Sequence, residues 1–408
     1  MEAKNTTFVK KVVSPFAINT TMGFIVGGIP ALLPLISDEF NLTRSQVGLY
    51  TTFMFMSSVS VALFAGYIVD RIGVKRCLTF GGIVSGSFVA LFSVAPSYMS
   101  FLLFAVGLGF GQSILTPAGN KAIIDAREGG VSNLLMGLFR STLGLGSLTG
   151  AAVLPLVAVN YGWRTSTLLG GAIGVTITVL LAFKRHDDNN VQNLSSARMK
   201  GSLKESVRVL ARSSSLRFLM VTGFCFAAVF SISVTYLALW LRDSGGLSEY
   251  YAALGLALAH FGGVLGRPLL GFLSDRSVTL RPITLLVLDA LAVAVILVVF
   301  AVFGSVLPGF ILLLISFFLG FTAMGFGGVF FGFLGVVAGR ENAGVATGMV
   351  LMFIRSAILA APPVFGLIVD KLDSYTVPWL IAAAVIVIPA IYHLLRVKKT
   401  ASTESSPD

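Results

Sequence analysis

The chain has 408 residues, of which 56% are hydrophobic and only 12% charged, whereas a soluble domain is about a quarter charged. With a mean hydropathy of +0.91, this composition excludes a soluble globular enzyme and predicts an integral membrane protein. The net charge of +11 does not point to nucleic acid, because the Lys and Arg gather in short loops between apolar runs, where they set orientation.

Taken in chain order, Gly, Pro and charge punctuation predicts twelve hydrophobic segments at 13–36, 46–69, 77–94, 99–122, 133–157, 166–183, 218–241, 251–274, 282–303, 309–337, 345–369 and 377–395. Most are long enough to cross a hydrocarbon core about 30 Å thick as helices, and barrel strands would instead alternate over about ten residues. The first segment follows Lys10 and Lys11, is too long for a signal core, and reads as a span and not a cleavable leader. Cys77 and Cys225 fall in or beside apolar runs with no metal or disulfide spacing and read as packing residues.

The expected division is an N-terminal six-helix bundle over 1–183, a basic cytoplasmic linker over 184–217, a C-terminal six-helix bundle over 218–399 and a polar tail over 400–408. Leu203, Val207 and Leu210 suggest a short amphipathic helix within the linker. Placing the N-terminus in the cytoplasm assigns most loop Lys and Arg to that side and leaves Arg44, Arg164, Arg242 and Lys371 on the other. Both termini are therefore expected inside, in a multi-pass protein of the cytoplasmic membrane.

The halves echo one another. "GYIVDR" (Gly66 to Arg71) after the second segment recurs as "GFLSDR" (Gly271 to Arg276) after the eighth, and "FRS" at Phe139 to Ser141 recurs as "IRS" at Ile354 to Ser356. Parallel repeats of this kind suggest two bundles that rock about a substrate held between them.

These residues carry a resemblance. "GYIVDRIGVKR" (Gly66 to Arg76) resembles the loop signature of the major facilitator superfamily, departing from it at Val74. "GWR" at Gly162 to Arg164, "GNKAI" at Gly119 to Ile123 and "PPVFGLIVDKLDSY" at Pro362 to Tyr375 are similar to members that carry small anions such as monocarboxylate, oxalate, cyanate or nitrate. The resemblance implies an all-α fold of twelve membrane helices in two bundles, a cavity lined by spans 1, 2, 4, 5, 7, 8, 10 and 11, and a gate built from Gly66, Asp70, Arg71, Gly271, Asp275 and Arg276.

Three arginines interrupt apolar spans. Arg140, Arg267 and Arg355 lie roughly 10–15 Å deep from the cytoplasmic ends at 1.5 Å per residue. An arginine near a span's centre costs about 2.5–3.5 kcal/mol on insertion scales, so these three are expected to face an aqueous cavity and not lipid. A guanidinium fork matches an oxyanion in bidentate fashion, which makes a small anion the expected partner. The one clear acid well inside a span is Asp289, able to neutralise one arginine. His260 shares a helix face with Arg267 and is a candidate, with Asp289, for proton coupling, or for a hydrogen bond to substrate. Asn19 and Tyr236 are further cavity candidates, each open also to a packing reading. Glycines crowd the fourth and tenth segments and permit close packing and bending, while no phosphate loop, zinc, nucleophile or Rossmann pattern is present.

The sequence thus predicts a secondary transporter, not an enzyme, that moves a small anion, most simply an organic carboxylate, by proton symport or anion exchange. Inorganic-anion carriage and drug or lipid export remain as alternatives. The expected partners are substrate, lipid bilayer and protons, with no cofactor, metal or nucleic acid, and the protein is expected to work as a monomer.

Overall fold

A computed structural model describes residues 2–125, 133–184, 213–276 and 282–404, and these residues are almost wholly helical. In chain order they form α1 (Glu2–Phe40), α2 (Arg44–Ile72), α3 (Val74–Phe92) and α4 (Tyr98–Asp125). The stretch Asn133–Lys184 is one helical run broken at Gly162, where φ is 82°, a conformation that suits glycine; it yields α5 (133–161) and α6 (163–184). The second half comprises α7 (Ser214–Asp243), α8 (Glu249–Arg276), α9 (Pro282–Phe303), α10 (Gly309–Leu319), a π turn at Gly320–Met324, α11 (Gly327–Leu372) and α12 (Thr376–Glu404).

Ten stretches among the described residues are long and apolar enough to span a membrane. One of them, Leu138–Phe183, has 46 residues, about 69 Å at 1.5 Å per residue and hence enough for two crossings. The 29-residue α2 is a further long helix, so the fold is consistent with the twelve spans expected. Two expected boundaries differ. The loop foreseen at 338–344 is helical, because α11 runs through it, and α12 continues past 399 to Glu404. Charged residues stop a span where the hydrocarbon ends, but they do not stop a helix.

Packing repeats between the halves. α1 lies on α5 as α7 lies on α11, α2 lies on α4 as α8 lies on α10 and the π turn, and α2 meets α11 as α5 meets α8. The last pair of contacts joins the halves, and exchanging them carries each into the other. Within a half, missing side chains bring backbones together: a Cβ built on Gly146 would stand 1.9 Å from the Thr20 carbonyl oxygen, and one on Gly320 1.7 Å from that of Ala259. The first contact fixes α1 against α5 and the second fixes α8 against the π turn, the two places from which Arg140 and Arg267 project.

Candidate functional site

Arg140 on α5 and Arg267 on α8 come together where the halves meet. A Cβ on Gly144, one turn beyond Arg140, would stand 2.6 Å from Val264 Cγ2 and 3.1 Å from Arg267 Nη1, so the Arg267 guanidinium lies directly against α5. Arg140 stands four residues before Gly144 on the same helix, so the two share one helix face. The Arg140 guanidinium carbon sits 5.5 Å from the centre of the Phe331 ring, a cation–π distance. Arg267 Nε donates to the Met324 carbonyl oxygen at 3.2 Å. Among the described residues, no carboxylate lies within ion-pair distance of either arginine. Two cations, one from each half, therefore share one region without a fixed counter-ion.

The other sequence candidates separate. Arg355 is half-buried on α11, which packs mostly on α7 and α2. Asp289 is buried on α9 with Oδ2 unpartnered, and it neutralises neither arginine: α9 packs chiefly on α12, away from the α5–α8 contact. His260 is buried on the face of α8 that carries Arg267, with Nε2 unpartnered. The Asn19 amide nitrogen is committed to packing, donating at 3.0 Å to the Phe139 carbonyl and at 3.0 Å to Thr142 Oγ1; it fastens α1 to α5 beside Arg140. Tyr236 is fully buried, its single hydroxyl hydrogen shared between the Arg44 and Pro362 carbonyls, with the oxygen 2.5 and 2.9 Å from them. Of the gate candidates, Gly271 faces Gly328 at about 4 Å, Arg276 lies 5.0 Å from the Phe272 ring centre and Arg71 is exposed. Gly66 lies within α2, and the side chains of Asp70 and Asp275 lie outside what the structure describes.

The most elaborate polar network sits at the distal end, where α1 finishes and α2 begins. Asp370 at the end of α11 accepts from the backbone N–H groups of Arg44 and Ser45 at 2.6 and 2.8 Å. The Arg44 side chain donates to Asp243 at 2.5 Å and to Ser37 at 3.1 Å, and the Tyr375 hydroxyl donates to the same Asp243 at 3.0 Å. Arg242 grips Asp38 with two nitrogens at 2.6 and 3.0 Å. Below these ties, Thr51 of α2 and Thr235 of α7 share a hydrogen bond at 2.8 Å. Every one of these ties except Arg44 to Ser37 and Tyr375 to Asp243 joins the two halves. Sequence reasoning counted Arg44 and Arg242 only for orientation; the signal it passed over is the set of acids at distal span ends, Asp38, Asp243 and Asp370. A cavity of about 700 Å³ opens at this end, lined by Asp38, Arg44, Trp240, Asp243, Asp370 and Tyr375 among others. It contains none of the three intramembrane arginines and forms a vestibule outside the ties.

Comparison with known proteins fits this architecture. Residues 16–362 match the model of the Major Facilitator Superfamily. A probable sulfoacetate transporter of Cupriavidus necator is 25% identical over 383 residues, covering 90% of this chain and 88% of the relative. A hexuronate transporter of Bacillus subtilis is 23% identical over 393 residues, covering 91% of each. Among solved structures, a bacterial homologue of the human lysosomal transporter Spinster, in an inward-facing and unoccupied conformation, superposes with a TM-score of 0.73 at 15% identity over 99% of both chains. With the two-bundle helical fold and a family match over most of its length, this chain belongs to the Major Facilitator Superfamily, whose members are membrane transporters and not enzymes.

Proposed function

We propose that the protein is a secondary transporter of a small organic anion that works by alternating access, with Arg140 and Arg267 as the pair that receives the anion. The observation that carries this reading is the Arg267 guanidinium lying against α5 one turn from Arg140 of the opposite half, with no carboxylate within ion-pair distance of either among the described residues. An oxyanion between them offsets both the desolvation of the charges and their mutual repulsion, and it links the halves, so closure around substrate is easier than closure around water. The sulfoacetate and hexuronate of the two relatives' names are both organic anions, which supports this reading. Arg355, at similar depth, serves in this reading as a cation along the anion's path.

The distal ties describe a state sealed at that end, so in this reading the arginines are reached from the opposite end, taken as the cytoplasmic side on the charge asymmetry of the loops. Asp70, Arg71, Asp275 and Arg276 are the proposed counterpart latch for the opposite state. His260, beside Arg267 with a free ring nitrogen, is the candidate for proton coupling, and anion exchange is the alternative.

The test is uptake of radiolabelled sulfoacetate, glucuronate, oxalate and nitrate by proteoliposomes, with Arg140→Ala and Arg267→Ala alongside. A tenfold rise in KM for an organic anion in either variant, about 1.4 kcal/mol of binding, supports the reading. Uptake of nitrate alone favours the inorganic-anion alternative. Transport that is unaffected by both substitutions refutes the reading.

A further inference from the structure

The π turn in the middle of the tenth span has a consequence for Arg267. A π turn inserts one extra residue into a helix and takes nearby carbonyls out of the regular ladder. Here the N–H of Gly325 and that of Phe326 both go to the Thr322 carbonyl, at 3.0 and 3.1 Å. The N–H of Gly328, which a regular helix would spend on the Met324 carbonyl, instead approaches that of Gly325 at 3.4 Å. The Met324 carbonyl is thereby left for another donor, and the donor it takes is Arg267 Nε at 3.2 Å. The backbones are close enough for this because α8 and the π turn meet through glycine: a Cβ on Gly266 would stand 2.1 Å from the Phe321 carbonyl oxygen, and one on Gly328 2.1 Å from that of Arg267 itself.

We infer that the π turn and Gly144 are positioning elements of the anion site: the Met324 carbonyl holds the Nε side of the Arg267 guanidinium, and the absent side chain of Gly144 leaves room for its Nη side against α5, next to Arg140. This rests on the reading of Arg267 as an anion-binding residue and deepens it. A guanidinium has five N–H donors in a rigid plane. Once Nε–H is spent on a carbonyl, the edge formed by the two terminal nitrogens is what remains for a bidentate oxyanion, and it faces the half of the protein that carries the second cation. Fixing that plane before substrate arrives avoids the entropic cost of ordering a long side chain on binding. Arg267 is thus held by one half of the protein and aimed at the other.

The test uses the full-length protein in proteoliposomes, with sulfoacetate and glucuronate as probes and KM separated from kcat. Gly144→Ala introduces a methyl group against both Val264 and Arg267, and KM is expected to rise at least tenfold. Combining it with Val264→Ala removes the contact to Val264 but not that to Arg267, so KM should stay high; return to the parental KM would show that Gly144 serves helix packing alone and would overturn the inference. Arg267→Lys has no planar fork to hold at one edge and offer at the other, and it is expected to raise KM tenfold or more with a smaller effect on kcat. A parental KM for this variant equally overturns the inference. Deleting Thr322 restores a regular helix; a folded deletion variant with parental KM removes the role of the π turn, and if the deletion does not fold, the Gly144 and Arg267 variants decide. Should the parent protein move neither probe nor any other anion, the anion-site reading itself falls and takes the positioning role with it. Transport by the parent with indifferent variants removes only the positioning role.

Discussion

Replacing Asp370 by Asn should loosen the distal closure by a calculable amount. A helix starts with N–H groups that no helical carbonyl serves, and in α2 each has an identified partner. The Thr43 N–H donates to the Gln46 side chain at 2.9 Å and the Gln46 N–H to Thr43 Oγ1 at 3.3 Å, a reciprocal capping box. That leaves Arg44 and Ser45, and both donate to Asp370 from the other half of the protein. A hydrogen bond to a charged group contributes about 1.5–3 kcal/mol, and a carboxylate at a helix N-terminus about 0.3–1 kcal/mol more. Asp370 is exposed at the rim, where water competes and salt screens, so the low end of both ranges applies. An Asn keeps one carbonyl acceptor but loses one N–H partner and the charge. The expected loss is therefore about 1.5–2 kcal/mol, or roughly 10–30-fold in the opening equilibrium. A cysteine in place of Thr51, which is buried beneath the ties, reports that opening through its labelling rate with a water-soluble thiol reagent, in a background lacking Cys77 and Cys225. Labelling 10–30-fold faster in Asp370→Asn, and faster still in Asp370→Ala, is the expected result. Unchanged rates in both variants would refute the claim that this carboxylate holds the halves together.

Tyr236→Phe removes the hydroxyl hydrogen shared between two carbonyls, and at about 1–3 kcal/mol for a buried group left unpaired it should accelerate labelling at the same site by about 5–150-fold. Gly320→Ala sets a methyl group against the backbone of Ala259, which cannot rotate aside; a loss of about 1–3 kcal/mol or more should appear as a lower Tm of the detergent-solubilised protein. Gly332 has nothing within 4 Å of a built Cβ, so Gly332→Ala should leave Tm unchanged or raise it, by at most about 1 kcal/mol of helix propensity. Arg164→Ala removes donors to the Ser93 and Ala95 carbonyls and to Glu39, and Tm should fall while the arginine-dependent KM stays as it was.

Much of the fold is legible because the membrane allows so few answers. Long charge-free runs must be helices, and the Gly-x-x-x-Asp-Arg pattern that recurs after the second and eighth segments points to two related halves. Finer features escape such a reading. The break between α5 and α6 is a single glycine with positive φ at Gly162, where composition suggests a loop, and the helix through 338–344 carries charges that composition reads as an interruption. Depth along a helix is readable and azimuth across the bundle is not. The sequence puts Arg140, Arg267 and Arg355 at one expected depth, but which helices face each other is a property of the bundle: α5 lies on α8, while α11, which carries Arg355, lies mostly on α7 and α2. Tyr236 shows the same limit. Its position in an apolar span fits a cavity, but the carbonyls it serves belong to residues 192 and 126 positions away, and no local pattern announces them.

In the proposed alternating-access reading, the two kinds of contact have different tasks. Inside each half, glycines let helix backbones touch, and such packing is close and hard to deform; this suits bodies that move as units. Between the halves at the distal end, the ties are carboxylates, guanidinium groups and hydroxyls at or near the surface, each of which finds water when the halves part. Their individual contributions are modest, which is what a reversible closure requires: a seal built from the same backbone contacts that hold α8 to the π turn would not open on any useful timescale. Arg267 lies at the boundary of the two regimes, its Nε held by the rigid body it belongs to and its Nη groups turned across the interface towards Arg140. In the proposed reading, an anion that engages both arginines binds across the contact of α5 with α8, where its binding energy would favour movement of one half against the other.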